Sequence, residues 1–341
     1  MSRSVLLFAC VLAGSVAGAQ TLQPDTALNG SVAASTAATV PAQTKPTFRS
    51  NVDLVALNVV VTDSDEKYVL GLGPEDFAVF EDGIQQDVSF FGASDVPLDL
   101  AILLDTSASM TGKMELVQQA AIGFLDTLRA GDRAIVVDIK DATKVMYPLG
   151  SDLDAARQAI LSTVARGGTA LYNGTYLTLK EMVKARRANS EVRRQALVVL
   201  SDGEDTASLV SYDDLMDLAK QSGIAIYTIT MRSKSLASQV SRGRSYFSQS
   251  EFGMKALAQE TGARAFFPTE LSELSGVYAS IAEELATQYA IGYSPKNPRA
   301  DGTYRRVIVR VNDKPGVRTR TRAGYTAPRA QRSASVLPAT H

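Results

Sequence analysis

Three short stretches of this chain carry residue types that could do chemistry. The first is Asp105-Thr106-Ser107-Ala108-Ser109, a D-x-S-x-S run that follows the apolar stretch Leu98 to Leu104. The second is Gly167-Gly168-Thr169-Ala170-Leu171. The third is Ser201-Asp202-Gly203-Glu204, directly after the apolar run Ala196 to Leu200. Carboxylates and hydroxyls are hard oxygen donors, and such a set suits a hard divalent cation such as Mg2+. Any one of the three alone reads equally well as a polar loop that caps the next helix. Their joint presence favours a metal site. Gly167-Gly168 would let the backbone approach closely and take strained dihedrals. A phosphate-binding reading of that pair fails for want of the Walker pattern with its Lys. Gly203 would serve a similar turn.

Composition narrows the chemistry. The only histidine in 341 residues is His341, the last one. The folded part thus has no imidazole for a Ser-His-Asp or Cys-His centre, nor for a histidine-rich zinc or iron site. Net charge is -1, so nothing global points to nucleic acid or an anionic membrane as partner. The length allows one large domain or two smaller ones.

The elements that must position these loops follow from periodicity. From Leu98 to about Gln288, strands alternate with amphipathic helices. Candidate strands are Leu98–Leu104, Ala134–Ile139, Lys144–Pro148, Ala196–Leu200, Ile224–Thr230 and Arg264–Phe267. Candidate helices are Lys113–Leu128, Leu153–Val164, Leu171–Arg187, Tyr212–Gln221, Met254–Thr261 and Leu271–Thr287. This alternation predicts an α/β fold: a doubly wound, mostly parallel, Rossmann-like sheet with helices on both faces. Ligands of such sheets bind at the carboxyl ends of the strands, where all three loops fall.

The flanks read as β. Before the α/β region lie Val52 to Val61, a polar turn at Asp63 to Glu66, and Phe77–Phe80 with Val88–Phe91 on either side of a hairpin turn at Asp82-Gly83. After it lie Tyr289–Tyr293, Tyr304–Val311 and Val317–Arg322. Each flank gives about three strands, too few for a stable domain, so the two are expected to pack as one β-sandwich with the α/β domain inserted between them. Arg305, Arg306, Arg310, Arg318, Arg320 and Arg322 could serve a polyanion. The preferred reading is the solvated face of a half-buried sheet.

At the N-terminus, Arg3, the apolar run Val5 to Val16 and Ala17-Gly18-Ala19 form a signal-peptide pattern. The run is too short for a permanent membrane span. A lipoprotein with Cys10 lipidated is the competing reading, but too little apolar sequence precedes Cys10. Cys10 is the only cysteine, so the mature, exported protein forms no disulfide. Export would leave it in the periplasm, on the cell surface or in the medium.

Taken in chain order, the three loops resemble the metal-ion-dependent adhesion site (MIDAS) of the von Willebrand factor type A (VWFA) family. The resemblance implies that Ser107, Ser109 and Thr169 approach one divalent cation with hydroxyls, and that Asp105 and Asp202 act directly or through water. Gly167, Gly168 and Gly203 would support the loops. The cation would be Mg2+, or Mn2+ or Ca2+, with a position open for a carboxylate from a protein or extracellular polymer. That is binding rather than turnover, so no enzyme is expected. In adhesion-type members the last helix shifts when the metal takes a ligand. Here that helix, Leu271–Thr287, runs straight into Tyr289, which would couple binding to the β module. Two departures stand out. Ile139-Lys140-Asp141 lies where many members have an aromatic residue, and the stretch 233–250 is a long Ser/Arg-rich loop, either mobile or part of a binding face.

The flanks are also similar to the exported bacterial VWFA-related family of the acidobacterial type. Val52-Asp53-Leu54-Val55, Glu75-Asp76-Phe77, Glu81-Asp82-Gly83, Tyr289-Ala290-Ile291-Gly292-Tyr293 and Arg322-Ala323-Gly324-Tyr325 carry that likeness. The expected plan is a signal peptide (1–19), a disordered linker (20–46), an N-terminal β segment (47–94), the VWFA domain (95–287), a C-terminal β segment (288–326) and a disordered tail (327–341). Two other functions compete with the adhesion module. One is a scaffold that docks subunits, as in chelatase-type partners of ATPases, against which the export signal argues. The other is a metal-dependent hydrolase with Glu204 or Asp205 as base, against which the want of a suitable base argues.

Overall fold

The computed structural model describes residues 54–93, 95–188, 191–202, 204–232 and 248–329. The expected leader and linker, Gly203, most of the Ser/Arg-rich loop (233–247) and the tail from residue 330 lie outside the described residues.

The chain opens with β1 (Val55–Thr62), β2 (Phe77–Glu81), β3 (Ile84–Gln86) and β4 (Val88–Gly92). It continues through β5 (Leu98–Asp105), α1 (Met114–Leu125), β6 (Arg133–Ile139), β7 (Lys144–Gly150), α2 (Leu153–Leu161), α3 (Leu171–Ala188) and β8 (Arg194–Ser201). Then come α4 (Tyr212–Ser222), β9 (Ala225–Thr230), α5 (Gln249–Glu260), β10 (Ala265–Phe266) and α6 (Leu274–Thr287). The chain closes with β11 (Tyr289–Tyr293), β12 (Tyr304–Val311), β13 (Arg318–Arg320) and β14 (Gly324–Thr326).

β5 to β10 form one six-stranded sheet in the order β10-β9-β8-β5-β6-β7. All neighbours are parallel except the edge strand β7, which runs antiparallel to β6. Every residue of β5, β8 and β9 is buried, a condition met only when helices cover both faces. The period of two assigns the cover. Leu98, Leu100, Ile102 and Leu104 of β5 pack with α1, α2 and α6. Ala101 and Leu103 pack with α3, α4 and α5 on the other face. The alternation predicted from sequence is therefore the observed one, with element ends shifted by a few residues. Helix α4 starts at Ser211, whose hydroxyl accepts the Asp214 N–H at 3.1 Å, and stops at Gly223 in the left-handed region (φ 69°).

The remaining strands form two four-stranded sheets, β13-β1-β11-β4 and β14-β12-β2-β3. Strands from the two ends of the chain interleave: β1 pairs with β11 and β13, β11 with β4, and β12 with β2. Leu57, Val59, Val79, Tyr289, Ile291, Tyr293, Val307 and Val309 share one core between them. The flanks thus build a sandwich together, with four strands from each rather than about three.

Two expectations need correction. Asp82 (φ 47°) and Gly83 (φ 84°) do make a hairpin turn, as a pair of left-handed residues favours. Its second strand, however, is β3; Val88–Gly92 crosses to the other sheet and pairs with β11. The arginines of the C-terminal flank are also not all on a solvated face. Arg305 is 2% exposed and Arg322 is 9% exposed. Arg305 shares the inward alternation of Val307 and Val309, and it is tolerated there because Glu81 is buried opposite it at 3.2 Å. Glu81 also accepts hydrogen bonds from Tyr293 and Tyr325 hydroxyls, each at 2.8 Å. Past β14, Ala327 donates its N–H to Thr303 and Arg329 bridges Asp301, so ordered pairing runs three residues beyond the expected domain end.

The last helix is tied to both parts. Glu284 of α6 is 1% exposed, accepts the Tyr227 hydroxyl of β9 at 2.6 Å and meets Arg320 of β13 at 2.6 Å. Removing one member of a buried ion pair strands its partner's charge, which typically costs about 3–5 kcal/mol. Glu81→Ala is therefore expected to lower unfolding stability by about that amount in urea titration, since it orphans Arg305 and two tyrosyl hydroxyls. A loss below about 1 kcal/mol would show that the cluster is not what holds the sandwich.

Candidate metal centre

Asp105 is the last residue of β5 and is fully buried. A carboxylate there needs donors, and Ser107 and Ser201 supply them. The Ser107 N–H reaches Oδ1 at 2.9 Å, and the Ser201 hydroxyl at the end of β8 reaches Oδ2 at 2.6 Å. Burial pushes the Asp105 carboxyl above its ordinary range; those hydrogen bonds pull it down, and the nearby charge of Asp202 pushes it up again. Asp105 and Asp202 are thus two carboxylates whose mutual repulsion a cation would relieve.

The D-x-S-x-S loop turns tightly through Ala108–Met110, and Met110 N–H donates to Ser107 C=O at 3.0 Å. The turn brings the Ser107 and Ser109 hydroxyls to 2.9 Å from each other. Ser107 is 2% exposed, while Ser109 faces solvent. Two backbone bonds lace this loop to the second: Ala108 N–H to Gly167 C=O at 2.9 Å, and Arg166 N–H to Thr106 C=O at 2.8 Å.

The second loop is laced to the third in the same way. Thr169 N–H donates to the Thr206 hydroxyl at 3.0 Å, and Thr169 C=O accepts from Thr206 and Ala207 N–H at 2.9 and 3.1 Å. The backbone of Thr169 is thereby fully used. Its side chain is 4% exposed, and its hydroxyl has no hydrogen-bond partner among the described residues. Asp202, half-exposed, lies one residue past Ser201 and receives the Glu204 N–H at 3.4 Å. The three loops named from sequence are therefore one hydrogen-bonded unit at the carboxyl end of β5 and β8. Gly203 is outside the described residues.

Hydroxyls dominate this donor set. No group of three or more His, Cys, Asp or Glu that could hold a metal occurs among the described residues. A cation here would have to be one satisfied by Ser and Thr oxygens with two carboxylates, which is the preference of Mg2+ rather than of thiolate- or imidazole-seeking metals. The residues present fit such an ion.

Several supporting residues were not singled out from sequence. Asp141, at the departure Ile139-Lys140-Asp141, accepts the Gly168 N–H at 2.6 Å. It anchors the Gly pair from outside the three loops. Thr106 places its hydroxyl on Asp138, which pairs with Lys140 at 2.5 Å. Asp205 accepts the Tyr172 N–H at 3.2 Å and the Ser208 hydroxyl at 2.6 Å. It caps the first turn of α3, a use different from the catalytic base considered above. Asn173 Oδ1 accepts both Leu209 and Val210 N–H. The available signal was position: Asp141 stands two residues past a buried strand, at the same end of the sheet as Asp105 and Asp202.

Comparison with known proteins comes to bear on this geometry. The family model of the von Willebrand factor type A domain matches residues 99–279. The uncharacterized protein sll0103 of Synechocystis sp. is 34% identical over 113 residues, which are 32% of this chain and 26% of that protein. This chain thus spans about a quarter of the length of the curated relative it matches. Among solved structures, a von Willebrand factor type A protein from Catenulispora acidiphila superposes with a TM-score of 0.45 at 13% identity, covering 82% of this chain and 76% of its own. Proximal thread matrix protein 1 from the mussel byssus, with a zinc-occupied MIDAS motif, gives 0.44 at 14% identity over 60% and 50%.

Gly167 is the position where the loop geometry is most exacting. Its φ is +73°, and a Cβ there would overlap the Asp141 carboxylate. A non-glycine residue in this region costs about 1–2 kcal/mol before the overlap is counted. Gly167→Ala is expected to lower stability by at least that much in chemical denaturation, while Gly123→Ala in α1, with open space around it, is expected to be neutral or stabilising.

Proposed function

This chain belongs to the von Willebrand factor type A domain family, and we propose that it is an exported binding module whose three loops hold one divalent cation for an acidic group of a partner. The observation that carries the reading is the lacing of the loops. It spends the backbone of Thr169 while leaving its hydroxyl without a partner among the described residues, and it gathers Ser107 and Ser109 beside two repelling carboxylates. Such a hydroxyl is suited to a ligand role.

Under this reading Ser107, Ser109 and Thr169 supply hydroxyls, and Asp105 and Asp202 supply charge directly or through water. Mg2+ is the first choice, with Mn2+ or Ca2+ as substitutes. Two carboxylates bring the cation close to neutral, and protein ligands too few to fill its shell leave room for a carboxylate from outside. The surroundings offer further contact surface beside the loops. A groove of about 480 Å3 opens beside the loops, lined by Lys113, Leu116, Met231, Arg232 and Leu271 among others. It joins the site through Met231, whose N–H donates to Ser201 C=O at 2.9 Å. Leu209, 96% exposed, stands on the third loop's continuation. Binding is favoured over hydrolysis because Asp205 is committed to capping α3.

Calorimetric titration of Mg2+ and Mn2+ is the direct test. Saturable binding is expected in the wild type and lost in Asp105→Ala and Ser107→Ala. Ser201→Ala, which removes a support of Asp105 rather than a ligand, is expected to weaken affinity about 10–100-fold. Absence of heat in the wild type would move the scaffold reading ahead of this one.

Export is the second part of the proposal, resting on Arg3, the apolar run and Ala17-Gly18-Ala19. Among the described residues no helix is long and apolar enough to cross a membrane. N-terminal sequencing of protein recovered from outside the cytoplasm is expected to begin at Gln20; a start at Cys10 carrying lipid would replace the secreted reading with the lipoprotein one.

A further inference from the structure

Arg322, in the turn between β13 and β14, is nine-tenths buried (9% exposed), yet its guanidinium has no hydrogen bond or ion pair among the described residues. The Tyr325 ring lies 5.4 Å away. A ring can cover one face of a guanidinium, but the N–H donors lie in the plane: Nε is buried without a partner, and Nη1 and Nη2 make no hydrogen bond among the described residues. Burial, with the like charge of Arg186 adding to it, lowers Arg322 to about 10. It therefore remains charged near neutral pH. A largely buried charge with neither a counter-charge nor protein acceptors is costly, and a buried unsatisfied group such as this Nε calls for an explanation, of which an unseen ion or solvent is one.

A second guanidinium converges on the same spot. Arg186, in the last turn of α3, donates through Nη1 to the Ser222 carbonyl at 2.8 Å. That bond occupies a carbonyl at the α4 terminus which could otherwise have served Arg322. A Cβ placed on Gly223 would stand 2.9 Å from Arg322 Nη1 and 3.9 Å from Arg186 Nη1. The two guanidinium groups thus approach one another over Gly223, where the lack of a side chain admits Arg322. Neither has a carboxylate partner among the described residues. Lys220, in the last turn of α4, is paired with Glu260 at 3.4 Å, and the charge beside Arg186 is another arginine, Arg187.

We propose that Arg322 and Arg186 bind a small tetrahedral oxyanion of the phosphate or sulfate class above Gly223, where α3, α4 and the C-terminal β segment meet. Planar forks of N–H donors match such oxygens in pairs, and an oxyanion supplies the counter-charge that the fold does not. The site is separate from the three metal loops, which lie at the carboxyl ends of the strands.

The test is thermal melting of the full chain in EDTA, so that the metal loops take no part. Sodium phosphate and sodium sulfate are compared with sodium chloride at matched ionic strength. A saturable rise in Tm with either oxyanion is expected, with the apparent dissociation constant raised at least tenfold in Arg186→Gln and in Arg322→Gln. Arg186 is on an exposed turn, so its variant decides the matter even where Arg322→Gln fails to fold. Oxyanions no better than chloride, or a rise undiminished in Arg186→Gln, overturns the proposal.

Discussion

The α/β part is arranged around a carboxylate that has lost its water. Asp105 terminates a strand buried at every residue, so its charge must be met by groups the protein itself brings. Ser201 arrives from the neighbouring strand and Ser107 from the turn that follows. The rest of the centre follows from that need. Further carboxylates would worsen the repulsion that Asp202 already imposes. Hydroxyls add oxygen donors without adding charge, and backbone bonds hold the loops that carry them. Rigidity is thus supplied by main chain and specificity by side chain.

The sandwich solves the same problem differently. Glu81 is also an almost fully buried carboxylate, but it is met by Arg305 and by two tyrosyl hydroxyls. It needs nothing from outside. Asp105 has a second acid beside it and no cationic side chain bonded to it, whereas Glu81 is closed by an arginine from the facing strand. One carboxylate is met by an arginine; the other is met by hydroxyl and amide donors beside a second acid. Glu284 of α6, joined to both Tyr227 and Arg320, links the two parts through a third acid, also met by an arginine.

Much of this was legible in the sequence, for identifiable reasons. The apolar runs of β5 and β8 are continuous because both faces are covered, and such runs are easy to see. The D-x-S-x-S loop, Thr169 and Asp202 stood out because oxygen donors follow those runs directly. What escaped notice depended on partners far along the chain. The alternation with Val307 and Val309 put Arg305 on the inward face, but nothing local told that Glu81 on another strand would receive its charge there. The hairpin at Asp82-Gly83 was placed correctly, yet its second strand is only three residues long, and the longer strand after it answers to β11. Asp141 stood out only as part of a departure from the family pattern, and its bond to Gly168 lies 27 residues along the chain. Arg322 was grouped with solvated arginines by alternation alone, which carries no information about the helix ends packed against it.

The interleaving of β1 with β11 and of β2 with β12 has a consequence for how the chain is made. Tyr325 and Glu81 are separated by 244 residues, so beyond local pairs such as β2 with β3 the sandwich cannot close until the C-terminal strands are available. Closing so long a loop is entropically slow unless its interior has already become compact. The α/β segment, whose strands find partners nearer in sequence, can do that first and carry the two ends toward each other. A growing chain would therefore pass through a stage in which β1 and β2 present unpaired edges. Those edges invite association with other chains, and the arrival of the C-terminal strands ends that exposure.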